Sequence, residues 1–335
     1  FEAGTRVPFI TYWKGKTKPQ VSDEIVTQID FLNSFSTLVG SRTLLFSIII
    51  LISSCQNKET LYVPSDLVYV GEFTRGLEGP AVDFNGNLYF VNPIKNGTIG
   101  LIDSENKFSL FIDSLPNGSV ANGIRFDRNE LMYLADYTQH NILSVNIRTK
   151  EINVIAHDSL INQPNDIAIS KNNILFASDP SWKNSTGNLL KIEENKIIVL
   201  EKNMGTTNGV EINPAENKLY VNESVQKSIW VYDLDSKLNI SNKKLFYKFD
   251  DFGLDGMRCD IKGNIYVTRH GKGTVVVLSP EGKIINEIQL KGKKPSNIAF
   301  GGHDGKTVYV TLQDRGYIET FRTKFPGRSF HMFDE

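Results

Sequence analysis

The chain has 335 residues, 40% of them hydrophobic and 22% charged, with a formal net charge of -1. That composition supports one large domain with a substantial core plus an extension, and the balanced charge gives no electrostatic reason to expect nucleic acid. Two cysteines, Cys55 and Cys259, cannot build a disulfide framework, and no CxxC or Cys/His cluster points to zinc.

The chain opens with a stretch, residues 1–40, of mixed polar and apolar character. Phe1–Lys16 (FEAGTRVPFITYWKGK) and Val21–Phe31 (VSDEIVTQIDF) resemble a segment from the later part of type I sulfatases, where the pattern is roughly EGGxRVPFIxxWPGK and then VSDxxVxxxD. Ala3 replaces a glycine of that pattern and Lys14 its proline, and the sulfatase nucleophile motif is absent. The resemblance implies a piece of a neighbouring gene fused to this chain, without sulfatase activity. The first methionine is Met132, so residue 1 is not taken as a natural start.

Leu44–Ile52 (LLFSIIILI) comes next, apolar except for Ser47. It is too short to span a bilayer but has the length of a signal-peptide apolar region, with Arg42 ahead of it. The sequence Ile52-Ser53-Ser54-Cys55 resembles a bacterial lipobox. That likeness implies a signal segment over 41–55, lipidation of Cys55, a linker over 56–64, and a protein of the bacterial cell envelope that faces the periplasm or the exterior. It would touch the membrane only through its lipid anchor.

From residue 65 onward a short loop motif recurs six times: Glu78-Gly79-Pro80, Asn122-Gly123-Ile124, Asn165-Asp166-Ile167, Asn208-Gly209-Val210, Asp255-Gly256-Met257 and Ser296-Asn297-Ile298. The spacings are 44, 43, 43, 47 and 41 residues. Each motif leads through a polar turn into a similar apolar run, from NLYFV (87–91) to TVYVT (307–311), and a third run follows. A period near 44 with about four short strands per unit predicts an all-β, six-bladed propeller over 65–325, with 326–335 as a tail. The sixth repeat lacks a fourth strand. Leu67–Phe73 (LVYVGEF) is expected to supply it, closing the ring and removing an exposed edge.

In a propeller the innermost strands start beside the central channel. The motif register therefore aims Glu78, Asn122, Asn165, Asn208, Asp255 and Ser296 at one axis. Asn and Asp also make ordinary turns before strands, but six polar positions in register point to a site. Two carboxylates with amide oxygens form a hard-oxygen set, which suits one divalent metal. Calcium is the first choice; zinc, magnesium and manganese are the other candidates. Asp166 is expected to support the site from behind. Trp182 is expected to wall the mouth, and His140 and His270 lie near the rim.

These motifs resemble the SGL family, which joins senescence marker protein (regucalcin), gluconolactonase and luciferin-regenerating-enzyme-like proteins. The matching stretches are LEGPAVDFNGNLYFV (77–91), QPNDIAI (163–169), TTNGVEINP (206–214), DGMRCDIKGNIYVT (255–268) and KPSNIAFGG (294–302). The resemblance implies metal ligands at Glu78, Asn165, Asn208 and Asp255, with Asp255 also the catalytic base. Asn122, Gln163, Trp182 and Ser296 are expected to bind substrate. Animal regucalcins carry Arg where this chain has Gln163, which puts gluconolactone itself in doubt. The expected function is metal-dependent hydrolysis of a small ester, a sugar lactone first, by a monomer. The alternative is a non-enzymatic periplasmic propeller that binds sugar acids or a partner.

Overall fold

The six repeats fold into six four-stranded antiparallel sheets, with almost no helix. The computed structural model describes residues 9–11, 20–22, 60–69 and 74–331. The chain divides into two units, Phe1–Glu59 and Thr60–Glu335. In the first, β1 (Phe9–Thr11) pairs antiparallel with β2 (Gln20–Ser22). The lipobox-like stretch with Cys55 lies outside the described residues.

In the second unit β3 (Ser65–Tyr69) precedes the blades. Blade 1 holds β4 (Glu78–Val82) to β7 (Phe108–Ile112), and blade 2 holds β8 (Ala121–Phe126) to β11 (Ile152–His157). Blade 3 runs from β12 (Ile167–Ile169) to β15 (Lys196–Met204), and blade 4 from β16 (Thr207–Ile212) to β19 (Ile240–Lys248). Blade 5 runs from β20 (Met257–Cys259) to β23 (Ile284–Gln289). Blade 6 combines β24 (Pro295–Gly301), β25 (Thr307–Leu312) and β26 (Tyr317–Arg322) with β3. The molecule is a six-bladed β-propeller.

The apolar runs are nearly continuous because each blade buries both faces. One packs on the blade before, the other on the blade after. Six hydrophobic clusters result, one at each seam. Ala81, Val91, Ile124 and Leu134 fill the seam between blades 1 and 2, and Leu77, Phe90, Ala299 and Ile318 fill the one between blades 6 and 1. At the bottom turns Asp83, Asp127 and Asp260 each accept N–H bonds from residues two and four ahead (2.8–3.0 Å), the Asx arrangement that tightens a hairpin.

The closing strand is supplied by the expected segment and begins at Ser65, two residues before the predicted run; residues 70–73 lie outside the described residues. Ser65–Tyr69 pairs with β26, with Tyr69 opposite Tyr317 and Val68 opposite Ile318. The register is fixed by charge. Asp66 takes Arg315 at 2.8 Å and Lys291 at 2.9 Å. Residues 326–330, beyond the last strand, run beneath the ring. Ile261 N–H donates to the Pro326 carbonyl (2.9 Å) and Gly327 N–H to that of Gly305 (2.9 Å). Helix α1 (Arg328–His331) then places the buried Arg328 guanidinium on the Ile169 carbonyl (3.0 Å) and Glu216 (2.5 Å).

Closure can be tested at Ile318, fully buried on β26 beneath the closing strand. Ile318→Ala is expected to lower unfolding stability by about 2–5 kcal/mol in chemical denaturation. Leu160→Ala, at a side chain 90% exposed, should stay within about 0.5 kcal/mol.

Candidate functional site

The six motifs meet around the axis, each touching the next. Gly79 has φ +53°, and a Cβ there would lie 2.2 Å from the Asn122 carbonyl oxygen. One on Gly123 would lie 2.8 Å from that of Asn165. Only glycine allows backbones to approach so closely. Val210 N–H points at Asp166 Oδ2 (3.4 Å), and Asn208 Nδ2 donates to Asp255 Oδ1 (2.8 Å). Gly256 N–H donates to the Ser296 carbonyl (2.7 Å), and Ser296 Oγ returns to the Leu77 carbonyl (2.7 Å), completing the circle. In blades 1, 2, 4 and 6 a β-bulge falls on the motif, the usual device for re-aiming a side chain.

Of the four expected ligands, Asn208 bonds Asp255 (2.8 Å) and Glu78 is near enough for its charge to act on Asp255. Glu78, Asn165 and Asn208 are buried, and Asp255 keeps one edge open at the mouth. The Asn208 amide nitrogen donates to both Asp255 and Ser224 Oγ (3.0 Å), so its oxygen faces away from them. Asn165 Oδ1 is buried with no hydrogen-bond partner. Such an orphan costs about 1–3 kcal/mol and calls for a donor or a cation.

The charges around it bear on that choice. Just below, Asp166 receives a bidentate Arg258 guanidinium (2.9 and 3.3 Å), with Arg125 at 3.5 Å. Deeper still, Glu211 faces Arg328 at 3.7 Å, and Arg328 also holds Glu216. Three guanidiniums thus meet three carboxylates. Among the described residues Glu78 and Asp255 form no ion pair, although the Arg258 charge acts on Glu78 from below. Burial, then the negative charge of Asp166, raises the Glu78 carboxyl to about 8 against bonds from Gly79 N–H and Asn297. Burial, then the charge of Glu78, pushes Asp255 well above the usual carboxylate range. An uncompensated pair of this kind is stable as ions only beside a dication.

The donors therefore fit a divalent metal held by Glu78, Asn165, Asn208 and Asp255. Among the described residues no three His, Cys, Asp or Glu side chains form a group that could hold a metal ion by themselves. Two carboxylates with two amide oxygens suit calcium better than zinc.

The other expected residues are distributed unevenly. Asn122 is half-buried on the ring. Gln163 is partly exposed, its N–H held by Asp179 Oδ1 at 2.6 Å. Trp182, 47% exposed, starts a single turn after β13 on the same face. Ser296 does not present its hydroxyl. It is fully buried, bonded to Leu77 and Thr311, and the longer Asn297 reaches Glu78 instead. Asp166 is fully buried against Arg258. His140 and His270 lie one strand out from the axis, and burial lowers the His270 imidazole.

Sequence reasoning missed Asp179, fully buried, which pins the loop carrying Gln163 through bonds to Asn162 and Gln163. It also missed Arg125, Glu211 and Arg258. Their signal was present at the fourth motif position, which reads Ala81, Arg125, Ala168, Glu211, Arg258 and Ala299 around the ring. A cavity of about 600 Å³ opens at the opposite end of the channel, lined by Arg125, Arg258, Glu211, Phe300 and Tyr309. It lies away from the four expected ligands.

Residues 77–314 match the SMP-30/Gluconolactonase/LRE-like region family, well over half of the chain. The chain belongs to this family. A gluconolactonase of Zymomonas mobilis is 27% identical over 284 residues, covering 74% of this chain and 78% of that protein. A Bacillus subtilis protein named as a sugar lactone lactonase is 27% identical over 268 residues, covering 74% and 87%. The solved structure of a calcium-binding protein, regucalcin, from Agrobacterium tumefaciens superposes with a TM-score of 0.68 at 18% identity, over 78% of this chain and 94% of that one. The family match begins at Leu77, and the sulfatase likeness of residues 1–40 gains no support.

The raised carboxyls predict a pH effect. Both bind protons more tightly folded than unfolded, so their protonated forms favour the native state. That stability is complete below the ordinary carboxyl value and is lost as pH rises toward the native one, about 8 for Glu78. In chelator, melting temperature should fall between about pH 5 and about pH 8. Glu78→Gln should flatten the fall, and added calcium should abolish it. A profile that is flat in chelator for the unmodified protein would contradict this.

Proposed function

We propose that this propeller is a metal-dependent hydrolase that opens a small lactone, a sugar lactone first. One observation carries the reading: two axial carboxylates that form no ion pair among the described residues, with an orphaned amide oxygen on the same ring of motifs. Relatives named gluconolactonase and sugar lactone lactonase support the choice of substrate class.

When bound, a divalent ion supplies Lewis-acid stabilisation of negative charge developing on the lactone carbonyl oxygen. Asn208 holds one carboxylate oxygen of Asp255, leaving the other to take a proton from the attacking water. The water oxygen bonds to the carbonyl carbon, the ring C–O bond breaks, and the ring oxygen recovers a proton. Hydroxy acid is the product. Asn122, Gln163 and Trp182 orient the ring from the mouth. Asp166, clamped by Arg258, holds the ligand-bearing loops of blades 3 and 5 at a fixed separation.

Two substitutions separate ligand from base. Asp255→Asn keeps an oxygen donor and loses the base, so it should retain calcium in calorimetry while lactone hydrolysis falls by about 10²–10⁴-fold. Glu78→Gln should instead weaken calcium binding, because neutral donors cannot balance the ion's charge. If Asp255→Asn hydrolyses lactones at the unmodified rate, Asp255 is a ligand only, and the alternative of a non-catalytic sugar-acid binder stands if no lactone is opened at all.

We further propose that Cys55 is lipidated and anchors the protein at the cell envelope, on the strength of the apolar run and lipobox-like residues before it. A fatty-acid probe in a bacterial host should label the unmodified chain and not Cys55→Ser. Equal labelling of both would refute the anchor.

A further inference from the structure

Positive charge is unevenly placed around the mouth of the channel. Arg75, Lys95, Lys293 and Lys294 are all exposed, on the loops that lead into or join strands of blades 6 and 1. None has an ion-pair partner among the described residues. Three carboxylates of blade 6 and its closing strand are engaged with other groups. Asp66 takes Arg315 and Lys291. The fully buried Glu319 takes Arg315 and the N–H groups of Lys291 (2.9 Å) and Gly292 (2.8 Å). Asp314 takes the N–H groups of Lys293 (2.7 Å) and Lys294 (3.2 Å). These acids shape the loop that carries two of the cations; Asp314 keeps its own negative charge there, and the four cations outnumber it.

The facing loop is built as firmly. Thr74 Oγ donates to the Asn92 carbonyl (2.7 Å) and accepts from Gly76 N–H (3.1 Å), and Asn92 Nδ2 holds the Gly76 carbonyl (3.0 Å). Arg75 is pinned at its backbone between them. Asn92 Oδ1 also accepts from Gly97 N–H (2.9 Å), which fixes the turn carrying Lys95. Next to the Lys293 loop, Lys272 is paired with Glu287 (2.9 Å) and Asp251 (3.6 Å), and farther round the ring Lys227 Nζ donates to the Asp250 carbonyl (2.7 Å). The chain's net charge is -1, so the cationic side is not a bulk property.

The cations flank the seam at which Glu78 reaches the axis. Arg75 precedes Glu78 by three residues, at most about 11 Å of extended chain. Lys294 precedes Ser296 by two, and Ser296 Oγ bonds the carbonyl just before Glu78. A metal balanced by Glu78 and Asp255 is neutral overall and attracts no anion by itself. A cleft rim of one sign does, and raises the local concentration of an oppositely charged substrate.

We propose that Arg75, Lys293 and Lys294 select a lactone bearing an anionic oxyacid group, a phosphate or sulfonate, on the carbon chain remote from the carbonyl. This rests on the lactonase reading and adds the class of substrate. The charged group lies over the blade 6 and blade 1 rim while the lactone carbonyl is at the axis.

The test uses the full chain with calcium and three substrates: gluconolactone, its 6-phosphate and its 6-sulfonate analogue. The charged substrates should exceed the neutral one in kcat/KM at least tenfold at low salt, with the advantage carried by KM and shrinking as potassium chloride is added. In Lys293→Glu/Lys294→Glu the charged-to-neutral ratio should fall at least tenfold. In Lys183→Glu/Lys227→Glu, on the far side of the mouth, the ratio should hold. A preference for one charged substrate over the other tells phosphate from sulfonate. Calorimetry with 6-phosphogluconate and gluconate reads the same site without turnover, and the phosphate should bind more tightly only to chains that keep Lys293 and Lys294. Equal handling of charged and neutral compounds by the unmodified protein overturns the inference. So does an unchanged ratio in the Lys293→Glu/Lys294→Glu variant. If no lactone is opened, the lactonase reading fails, and the calorimetry still decides whether the rim binds the anion.

Discussion

Two carboxylates that approach one another out of water repel, and each also loses its hydration. Ring closure imposes this on Glu78 and Asp255, which 177 positions of sequence separate (255 − 78). Both hold their protons unusually tightly as a result. The rest of the axis is organised around the same constraint but solves it differently. Arg258 clamps Asp166 with two bonds, and Arg328 spans Glu211 and Glu216. The lower column pairs three guanidiniums with three carboxylates, and the Arg258 charge only partly offsets the burial of Glu78 above it. A deficit of positive charge costs stability, and proteins keep such deficits where they do chemistry. The orphaned oxygen of Asn165 beside it marks the same place.

Much of the fold was legible because a propeller repeats. A motif recurring every 41 to 47 residues announces blade number and the common register of the inner strands. The register marks where each motif backbone lies, but not how far a side chain reaches. Ser296 occupies the predicted position, yet its short hydroxyl is held by Leu77 and Thr311, and Asn297 extends to Glu78. The closing strand begins two residues before the predicted run, where Asp66 meets Arg315 and Lys291, and residues 70–73 of that run lie outside the described residues. An apolar run such as Leu67–Phe73 does not encode those partners. Residues 326–330, read from sequence as a tail, run under the channel, and the three-guanidinium column needs Arg328 from that segment. The fourth motif position carries Arg125, Glu211 and Arg258, but the sequence reading passed over it. Only the folded ring shows which carboxylate each one meets.

The pairing of β3 with β26 carries a consequence for how the chain is made. The strand that leads the domain, Ser65–Tyr69, finds its neighbour in Tyr317–Arg322, about 250 residues later. A ribosome delivers those residues last. Until then the leading strand has no ladder, and the five earlier blades can form only an open arc with unpaired edges at both ends. Contacts so distant in sequence are slow to form, and exposed strand edges recruit other chains while they wait. Asp66 places a charge in that waiting strand, and natural edges use such charges to discourage the wrong partner. The residue that sets the register of the finished ring therefore also protects the unfinished one during synthesis.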